Sequence, residues 1–236
     1  MKSENVEYKE GSTVCEGFAA YDEAAKKPGV LIVPEWNGVS DYSKKRAQML
    51  ADLGYSAFVA DIYGKGVRPS TMEACAAEAG KYRDNRPLLR ARVRAALDTL
   101  RKLPGTDAGK IAAIGYCFGG MTVLELARDG ADIQGVVSFH GALNTPNPAD
   151  AKNIKAKVLA LHGADDPLVP PPEVAAFEQE MRDAKVDWQL VAYGNAVHSF
   201  TNFTIPEGTP GPVSYNKKAD QRSWVAMQDF FKEVLH

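Results

Sequence analysis

The sequence predicts an α/β fold: a mostly parallel central sheet with helices on both faces and an N-terminal hairpin. Six short apolar segments are rich in β-branched residues and largely lack strict alternation, which is typical of strands covered on both faces. Longer segments with apolar residues at helical spacing separate them. Alternating strands and helices favour a parallel sheet, and no long linker or internal repeat divides the chain. We therefore expect a single domain over residues 1–236.

The elements follow one another along the chain. Residues 5–10 and 13–21 flank Gly11 and Ser12 as the two arms of a hairpin would. Glycine or proline follows the first two predicted helices, as expected at helix ends. The predicted strands are residues 30–34, 57–61, 111–116, 135–140, 157–163 and 188–193, and the predicted helices are residues 41–53, 87–103, 170–184 and 221–235.

The composition excludes several classes of function. A net charge of −2 and 45% hydrophobic residues are ordinary for a globular protein, and no basic stripe indicates binding to nucleic acid or a membrane. No apolar run approaches the length of a membrane span, and the polar N-terminus resembles no signal or transit peptide, so we expect a cytoplasmic protein. The three cysteines form no C-x-x-C pair, so we expect free thiols, no structural metal and no cofactor.

Chemically reactive residues follow four of the predicted strands. Glu35, Cys117, Asp166 and His198 each come just after a strand, and the carboxyl ends of parallel strands share one edge of the sheet. The last three occur in the order nucleophile, acid, histidine, which is the chain order of α/β-hydrolases. We expect them to meet at that edge.

The segment around Cys117 has the frame G-x-C-x-G. A nucleophile on a sharp strand-to-helix turn requires small residues on either side, which Gly115 and Gly119 supply. The N–H of Phe118 would then lie at a helix N-terminus, where it can stabilise a developing oxyanion.

Each of these residues also has a plainer interpretation. Cys117 alone would fit a small buried apolar position, and His198 a hydrogen-bonded core histidine. Asp165 and Asp166 would fit a solvated turn; Asp166 is favoured as the acid because Pro167 fixes its extended conformation. The other histidines fit the role of His198 less well: His140 and His162 end strands and could line the site, and His236 is the terminal residue.

Five quoted segments resemble the dienelactone hydrolase family (carboxymethylenebutenolidases) of the α/β-hydrolase superfamily. They are "PEWNGV", "ADIYG", "IGYCFGG", "LHGADDPLVP" and "AVHSF". The resemblance implies an α/β-hydrolase fold with Cys117 as nucleophile, His198 as general base and later acid, and Asp166 orienting His198. It also implies an oxyanion hole formed by the backbone N–H groups of Trp36 and Phe118.

The resemblance further implies a gating role for Glu35. A carboxylate beside the thiol would oppose thiolate formation until substrate binding moves it, and a neutral thiol would resist oxidation. On this basis Glu35→Gln is expected to raise the reactivity of Cys117. Without the resemblance, Glu35 would equally fit a solvated acid at a strand end.

One position departs from the family pattern. Family members that act on carboxylate-bearing lactones have an arginine four residues after the catalytic histidine, where this chain has Asn202. Arg83 and Arg86 are candidates to replace that cation, although both also fit surface positions. The substrate therefore need not be the one for which the family is named.

A cysteine nucleophile restricts the leaving group. The thiolate of a cysteine, whose thiol has an ordinary pKa of about 8.5, leaves the tetrahedral intermediate more readily than an alkoxide does. Attack on simple esters therefore reverses. We expect a hydrolase that cleaves a small lactone or activated ester through a thioester acyl-enzyme, acting as a monomer or small homo-oligomer. The alternatives are a thioesterase or acyltransferase on the same scaffold, or a non-catalytic relative that binds a ligand or senses oxidants.

Overall fold

The computed structural model describes residues 1–235 and contains one eight-stranded sheet. The strand order is β1-β2-β4-β3-β5-β6-β7-β8. The first two strands form an antiparallel hairpin that joins β4 in antiparallel fashion, and all other neighbours are parallel. The strands are β1 (Lys2–Glu10), β2 (Thr13–Tyr21), β3 (Lys27–Val33), β4 (Ser56–Val59), β5 (Thr106–Tyr116), β6 (Gly135–Phe139), β7 (Lys157–Gly163) and β8 (Trp188–Tyr193).

Within residues 1–235, six α-helices and one short 3₁₀ helix connect and cover the strands. The helix α1 shows why the chain turns helical where it does: Ser40 caps it and Ser43 completes a reciprocal capping box. The helices are α1 (Asp41–Asp52), α2 (Met72–Arg83), α3 (Arg86–Lys102), α4 (Phe118–Arg128), α5 (Pro171–Ala184) and α6 (Lys217–Leu235), and the 3₁₀ helix is Pro148–Asn153.

Apolar side chains fill both faces of the sheet. One core cluster includes Leu89 and Val93 of α3 together with Val123 of α4. The other includes Leu50 of α1 and Phe231 of α6. Because each face buries the apolar stripe of a different set of helices, the strands between them read as continuous apolar runs. The predicted fold class, with helices on both faces and an N-terminal hairpin, is confirmed.

The structure differs from the predicted elements at a few places. The helix α2 was not predicted, because its sequence is rich in alanine and has only three buried residues to mark an apolar face. The strand β4 ends at Val59 rather than at residue 61, since the Asp61 carboxylate instead accepts hydrogen bonds from the backbone N–H groups of Glu16, Tyr63 and Gly64.

The sheet topology places the chemistry at one edge. The chain moves from β3 outward to β4, returns to β5 beside β3, and then proceeds in the opposite direction through β6, β7 and β8. Ligands bind open α/β sheets at such a reversal, beyond the carboxyl ends of the strands. Glu35 follows β3 and Cys117 follows β5, so both lie at the reversal.

Within residues 1–235, none of the helices combines the length and the apolar character needed to cross a membrane.

Candidate active site

Cys117 occupies the sharp turn between β5 and α4. Its backbone has φ 55° and ψ −114°, a region that non-glycine residues rarely adopt. The flanking glycines leave no space for side chains: a Cβ at Gly119 would lie 2.0 Å from the Val33 carbonyl oxygen, and one at Gly115 would lie 1.9 Å from the carbonyl oxygen of Gly119. The G-x-C-x-G frame is therefore required by the close packing of the turn.

Hydrogen bonds hold this strained turn on both sides. The Cys117 N–H donates to the Phe139 carbonyl oxygen at 3.0 Å and to Nδ1 of His140 at 3.2 Å. The Cys117 carbonyl oxygen accepts from the Gly120 N–H at 2.9 Å. Cys117 is partly exposed, whereas Cys15 and Cys75 are buried. Of the three thiols, that of Cys117 is the accessible one.

His198 and Asp166 form a buried pair on two other loops. The distance between His198 Nδ1 and Asp166 Oδ2 is 2.7 Å. The second carboxylate oxygen of Asp166 accepts from the Leu168 N–H at 2.8 Å, which fixes the acid in its loop. Asp165 is exposed and contributes only its backbone N–H, bonded to the Ala196 carbonyl oxygen.

The surroundings of His198 favour its protonated form. Burial acts against the charge, but attraction to Cys117 and hydrogen bonds to Asp166 and Cys117 outweigh it and raise the pKa of His198 to about 10. An imidazole with that preference takes a proton from a nearby thiol readily. The Cys117–His198 pair can therefore transfer a proton within the site.

Glu35 lies buried beside this pair, on the loop after β3. Its Oε2 accepts from Nδ2 of Asn202 at 2.6 Å, and its Oε1 accepts from the Ser199 hydroxyl at 3.3 Å. Burial raises the pKa of Glu35, while attraction to His198 and the two hydrogen bonds act in the opposite direction. Among the residues that the structure describes, none of the Glu35 hydrogen bonds goes to Cys117.

A small pocket of about 130 Å³ opens next to the thiol. Its walls are mostly apolar, and the guanidinium-bearing side chain of Arg83 lies among them. The pocket is lined by Trp36, Ala79, Arg83, Cys117, Phe118, Met121, Ala142 and His198. Its size suits a short acyl group better than a long chain.

The backbone N–H groups of Trp36 and Phe118 face no acceptor among residues 1–235. Phe118 is the first residue of α4, and its N–H is one of the donors that a helix N-terminus leaves without an intrahelical partner. The Trp36 peptide is fixed by its own carbonyl oxygen, which accepts from the Tyr63 hydroxyl at 2.8 Å. Both donors are thus available for a developing negative charge.

Comparison with known proteins identifies the family. The model of the dienelactone hydrolase family matches residues 15–235. This chain belongs to the dienelactone hydrolase family. A putative carboxymethylenebutenolidase of Methylorubrum extorquens is 27% identical over 223 residues, covering 89% of this chain and 74% of the relative. The protein is accordingly a hydrolase that cleaves ester bonds.

Solved structures show the same similarity. One is a dienelactone hydrolase-like promiscuous phosphotriesterase from metagenomic libraries, P91, with 41% identity and a TM-score of 0.94 over 100% of this chain and 99% of that one. Another is a putative dienelactone hydrolase from Klebsiella pneumoniae, with 22% identity, a TM-score of 0.84 and 98% coverage of both chains. The second supports the fold alone.

In this dienelactone hydrolase family member, the three candidates for substrate binding, Arg83, Arg86 and Asn202, lie in different surroundings. Arg83 is exposed and lines the pocket. Arg86 lies behind the pocket wall: its guanidinium contacts the sulfur of Met121, and its Nε has no partner among the described residues. Asn202 does not line the pocket and is hydrogen-bonded to Glu35. Arg83 is therefore the better placed of the two arginines to meet a substrate.

Three further polar residues close to the site were not assigned roles from the sequence. Ser199 and Thr201 share the loop of His198, and no motif distinguishes them from ordinary loop residues. His140 was noted only as a strand-end residue that could line the site. His162, the other such residue, is buried, and its Nδ1 has no partner within residues 1–235; His236 lies outside the described residues. Residues 1–235 contain no cluster of three or more His, Cys, Asp or Glu suited to hold a metal ion.

Proposed function

We propose that this family member hydrolyses small lactones or activated esters through a Cys117–His198–Asp166 triad and a thioester acyl-enzyme. The observation that carries the proposal is the accessible thiol on a strained turn beside a histidine that is itself oriented by a buried carboxylate at 2.7 Å. This is the arrangement that activates a cysteine for acyl transfer.

In the first step the Cys117 sulfur attacks the carbonyl carbon after its proton passes to His198. A carbon–sulfur bond forms, and the carbonyl π electrons move to the oxygen, where the N–H groups of Trp36 and Phe118 stabilise the negative charge. The tetrahedral intermediate collapses, the carbon–oxygen bond breaks, and His198 donates its proton to the departing oxygen. The acyl group is left on Cys117 as a thioester.

In the second step water attacks the thioester. His198 removes a proton from the water, a carbon–oxygen bond forms, and the carbon–sulfur bond breaks to release the carboxylic acid. The thiolate of Cys117 then takes the proton back or remains paired with His198. With a lactone, the alcohol and acid parts belong to one product molecule.

The leaving group decides which substrates react. An alkoxide is the conjugate base of an acid about as weak as water, with a pKa of roughly 15.7, whereas a free thiol has one of about 8.5. The tetrahedral intermediate from an alkyl ester therefore expels the Cys117 thiolate and returns to the substrate. Enols, phenols and thiols leave readily, so we propose enol-lactones and aryl esters as the substrate class.

A short acyl part fits the pocket beside Cys117, whose volume is about 130 Å³. A carboxylate on it is not required, since Asn202 contributes its amide to Glu35 instead of to the pocket. The gating role of Glu35 stays a proposal; the contacts to Ser199 and Asn202 favour a resting position away from the thiol.

Hydrolysis of p-nitrophenyl acetate tests the proposal. Cys117→Ala should abolish turnover, and Cys117→Ser should retain part of it, because serine keeps an oxygen nucleophile in the same geometry. Rapid quenching of the wild type should give a mass increase of one acetyl group on the peptide that contains Cys117. Undiminished activity in Cys117→Ala, or acetylation elsewhere, would refute the proposal.

The similarity to P91 favours a second candidate activity, the cleavage of phosphotriesters, because that protein matches all of this chain at 41% identity. The Cys117 sulfur would attack phosphorus and expel an aryl oxide, and water would then displace the sulfur. Release of p-nitrophenol from paraoxon by the wild type and not by Cys117→Ala would support it; no release above the buffer rate would exclude it.

The cytoplasmic location, the single-domain organisation and the monomeric or small oligomeric state stay predictions from the sequence.

A further inference from the structure

His140 lies at the end of β6, next to the nucleophile turn, and is fully buried. Its ring Nδ1 accepts a hydrogen bond from the Cys117 N–H at 3.2 Å. The backbone N–H of His140 donates to the Leu161 carbonyl oxygen at 2.8 Å. The His140 backbone has φ 40°, so it too adopts a conformation rare for a residue with a side chain. Cys117 and His140, which both have strained backbones, are thus hydrogen-bonded to each other.

The other ring nitrogen of His140 reaches the loop that carries His198. The distance between Nε2 of His140 and Oγ1 of Thr201 is 2.7 Å, and Thr201 follows His198 by three residues. Because Nδ1 accepts a hydrogen bond, the ring proton is on Nε2 and is donated to Thr201. One side chain therefore connects the turn of the nucleophile to the loop of the base.

A buried polar network supports the Thr201 end. The Thr201 hydroxyl lies 2.7 Å from the Tyr42 hydroxyl, and Arg46 donates to the Thr201 carbonyl oxygen at 2.7 Å. Arg46 in turn forms a buried ion pair with Asp220. These hydrogen bonds fix the position of Thr201, whose hydroxyl is the acceptor for His140. Tyr42 and Arg46, which make them, are themselves buried and hydrogen-bonded.

The two neighbouring histidines are driven to opposite protonation states. Burial lowers the pKa of His140 well below its usual value, and the positive charges of His198 and Arg46 lower it further. The ring centroids of His140 and His198 are 5.4 Å apart. A neutral His140 keeps the lone pair that accepts the Cys117 N–H, whereas a protonated ring would place two donors opposite each other.

We propose that His140 is a positioning residue for catalysis, which holds the Cys117 backbone through Nδ1 and the His198 loop through Nε2. The inference rests on the proposed function, since it matters only if these two residues react together. Strained backbones of this kind persist only when their surroundings hold them. Without His140 the thiol and the imidazole lose their common support and drift from the reactive geometry.

Three variants test the proposal in the p-nitrophenyl acetate assay. His140→Leu removes both hydrogen bonds and should lower kcat by about 100-fold with little change in KM, which is the loss expected for a small misplacement of reacting groups. His140→Asn should recover part of the loss, because its Oδ1 lies near the position of Nδ1 and can accept the Cys117 N–H. Thr201→Val keeps the Nδ1 bond to Cys117 but removes the acceptor for Nε2, together with the bond to the Tyr42 hydroxyl, and should give a smaller loss of kcat.

Thr106→Val is the matched control. Thr106 is equally buried, and its hydroxyl bonds the Ser56 hydroxyl at 2.8 Å, near the start of β5 and away from the site. It should destabilise the protein while leaving kcat unchanged. Wild-type kcat in folded His140→Leu, or no recovery in His140→Asn, would overturn the proposal.

If His140→Leu does not fold, Thr201→Val decides, and an unchanged kcat refutes the role of the connection. Cys117→Ala is measured beside these variants. Activity in that variant would refute the triad, whereas an inactive Cys117→Ala with fully active His140 variants would refute only the positioning role.

Discussion

Nδ2 of Asn202 donates a hydrogen bond of 2.6 Å to Oε2 of Glu35. The direction of the bond is fixed, because Oδ1 of Asn202 accepts from both the N–H and the hydroxyl of Thr204, at 3.0 and 2.6 Å. The amide is thus committed to a carboxylate of the protein itself. Family members with arginine at this position carry a charge there, and this chain carries a neutral donor.

Asn202→Leu should destabilise the fold, because it leaves one oxygen of a buried carboxylate without its donor. A loss of about 1–3 kcal/mol in the free energy of unfolding is expected from urea denaturation. Thr204→Val, which removes one of the two bonds that orient the amide, should cost less. Equal stability of Asn202→Leu and the wild type would mean that the bond contributes nothing in solution.

The wild-type enzyme should show no strong preference between aryl esters with and without a carboxylate on the acyl part. Asn202→Arg should leave the ratio of their kcat/KM values unchanged, because position 202 lies outside the pocket and an arginine there meets the Glu35 carboxylate. Asn202→Leu is the uncharged control and should leave the ratio unchanged. A ratio shifted by arginine toward the carboxylated ester would show that this position faces the substrate.

Glu35→Gln tests the gate implied by the family resemblance. If the Glu35 carboxylate reaches the thiol in solution, removing its charge speeds the alkylation of Cys117 by iodoacetamide at neutral pH. We expect faster alkylation, because a buried negative charge nearby opposes thiolate formation; an unchanged rate would mean that the carboxylate stays bound to Ser199 and Asn202, as in this structure. Faster alkylation would establish the gate and show that Glu35 leaves these partners.

Gly119→Ala should disrupt the nucleophile turn. The added Cβ would lie 2.0 Å from the Val33 carbonyl oxygen and 2.6 Å from that of Pro34, so backbone has to move. Overpacking of this kind costs typically about 1–3 kcal/mol, and kcat should fall because the thiol moves with the turn. Gly194→Ala is the control, since nothing lies within 4 Å of its added Cβ. Equal thermal stability and activity of the two variants would contradict the packing described here.

Buried His140 predicts a stability that falls below about pH 6.5. Its pKa is lowered when the protein is folded, so its contribution is present above 6.5 and is lost as the pH falls.

Unfolding by urea at several pH values measures this effect. Between pH 6.5 and pH 5, His140→Gln should show a slope smaller than that of the wild type by at most about 1.4 kcal/mol per pH unit, the value for one proton. His162, whose pKa burial lowers, and Glu35 and Asp220, whose pKa values burial raises, also titrate; they are common to both proteins and cancel in the difference. Identical slopes would mean that His140 is protonated in the folded protein.

The sequence anticipated the fold because hydrophobic pattern and turn residues act locally. The strands β7 and β8 have the predicted bounds, and the turn at Cys117 could be placed because its glycines are needed for close packing. The helix α2 was missed since its few buried residues give no clear period.

Side-chain partners across loops could not be predicted in the same way. The sequence shows that position 202 carries no charge. It does not show the hydrogen bond from Asn202 to Glu35, because that bond depends on how two distant loops meet. The contacts of His140 with Cys117 and Thr201 likewise arise from strand order, which places β6 beside β5. Such contacts are long-range in the chain, and no local pattern encodes them.

Because Cys15 and Cys75 are buried, cysteine labelling can measure the fraction of molecules that have a reactive Cys117. In a folded sample a thiol reagent should react first with Cys117, the most exposed of the three cysteines, so the fast phase of labelling counts the chains with an open site. Unfolded chains would take up three labels, and oxidised ones would lose the first. Labelling stoichiometry can thus report, in one measurement, both the integrity of a preparation and the redox state of its reactive cysteine.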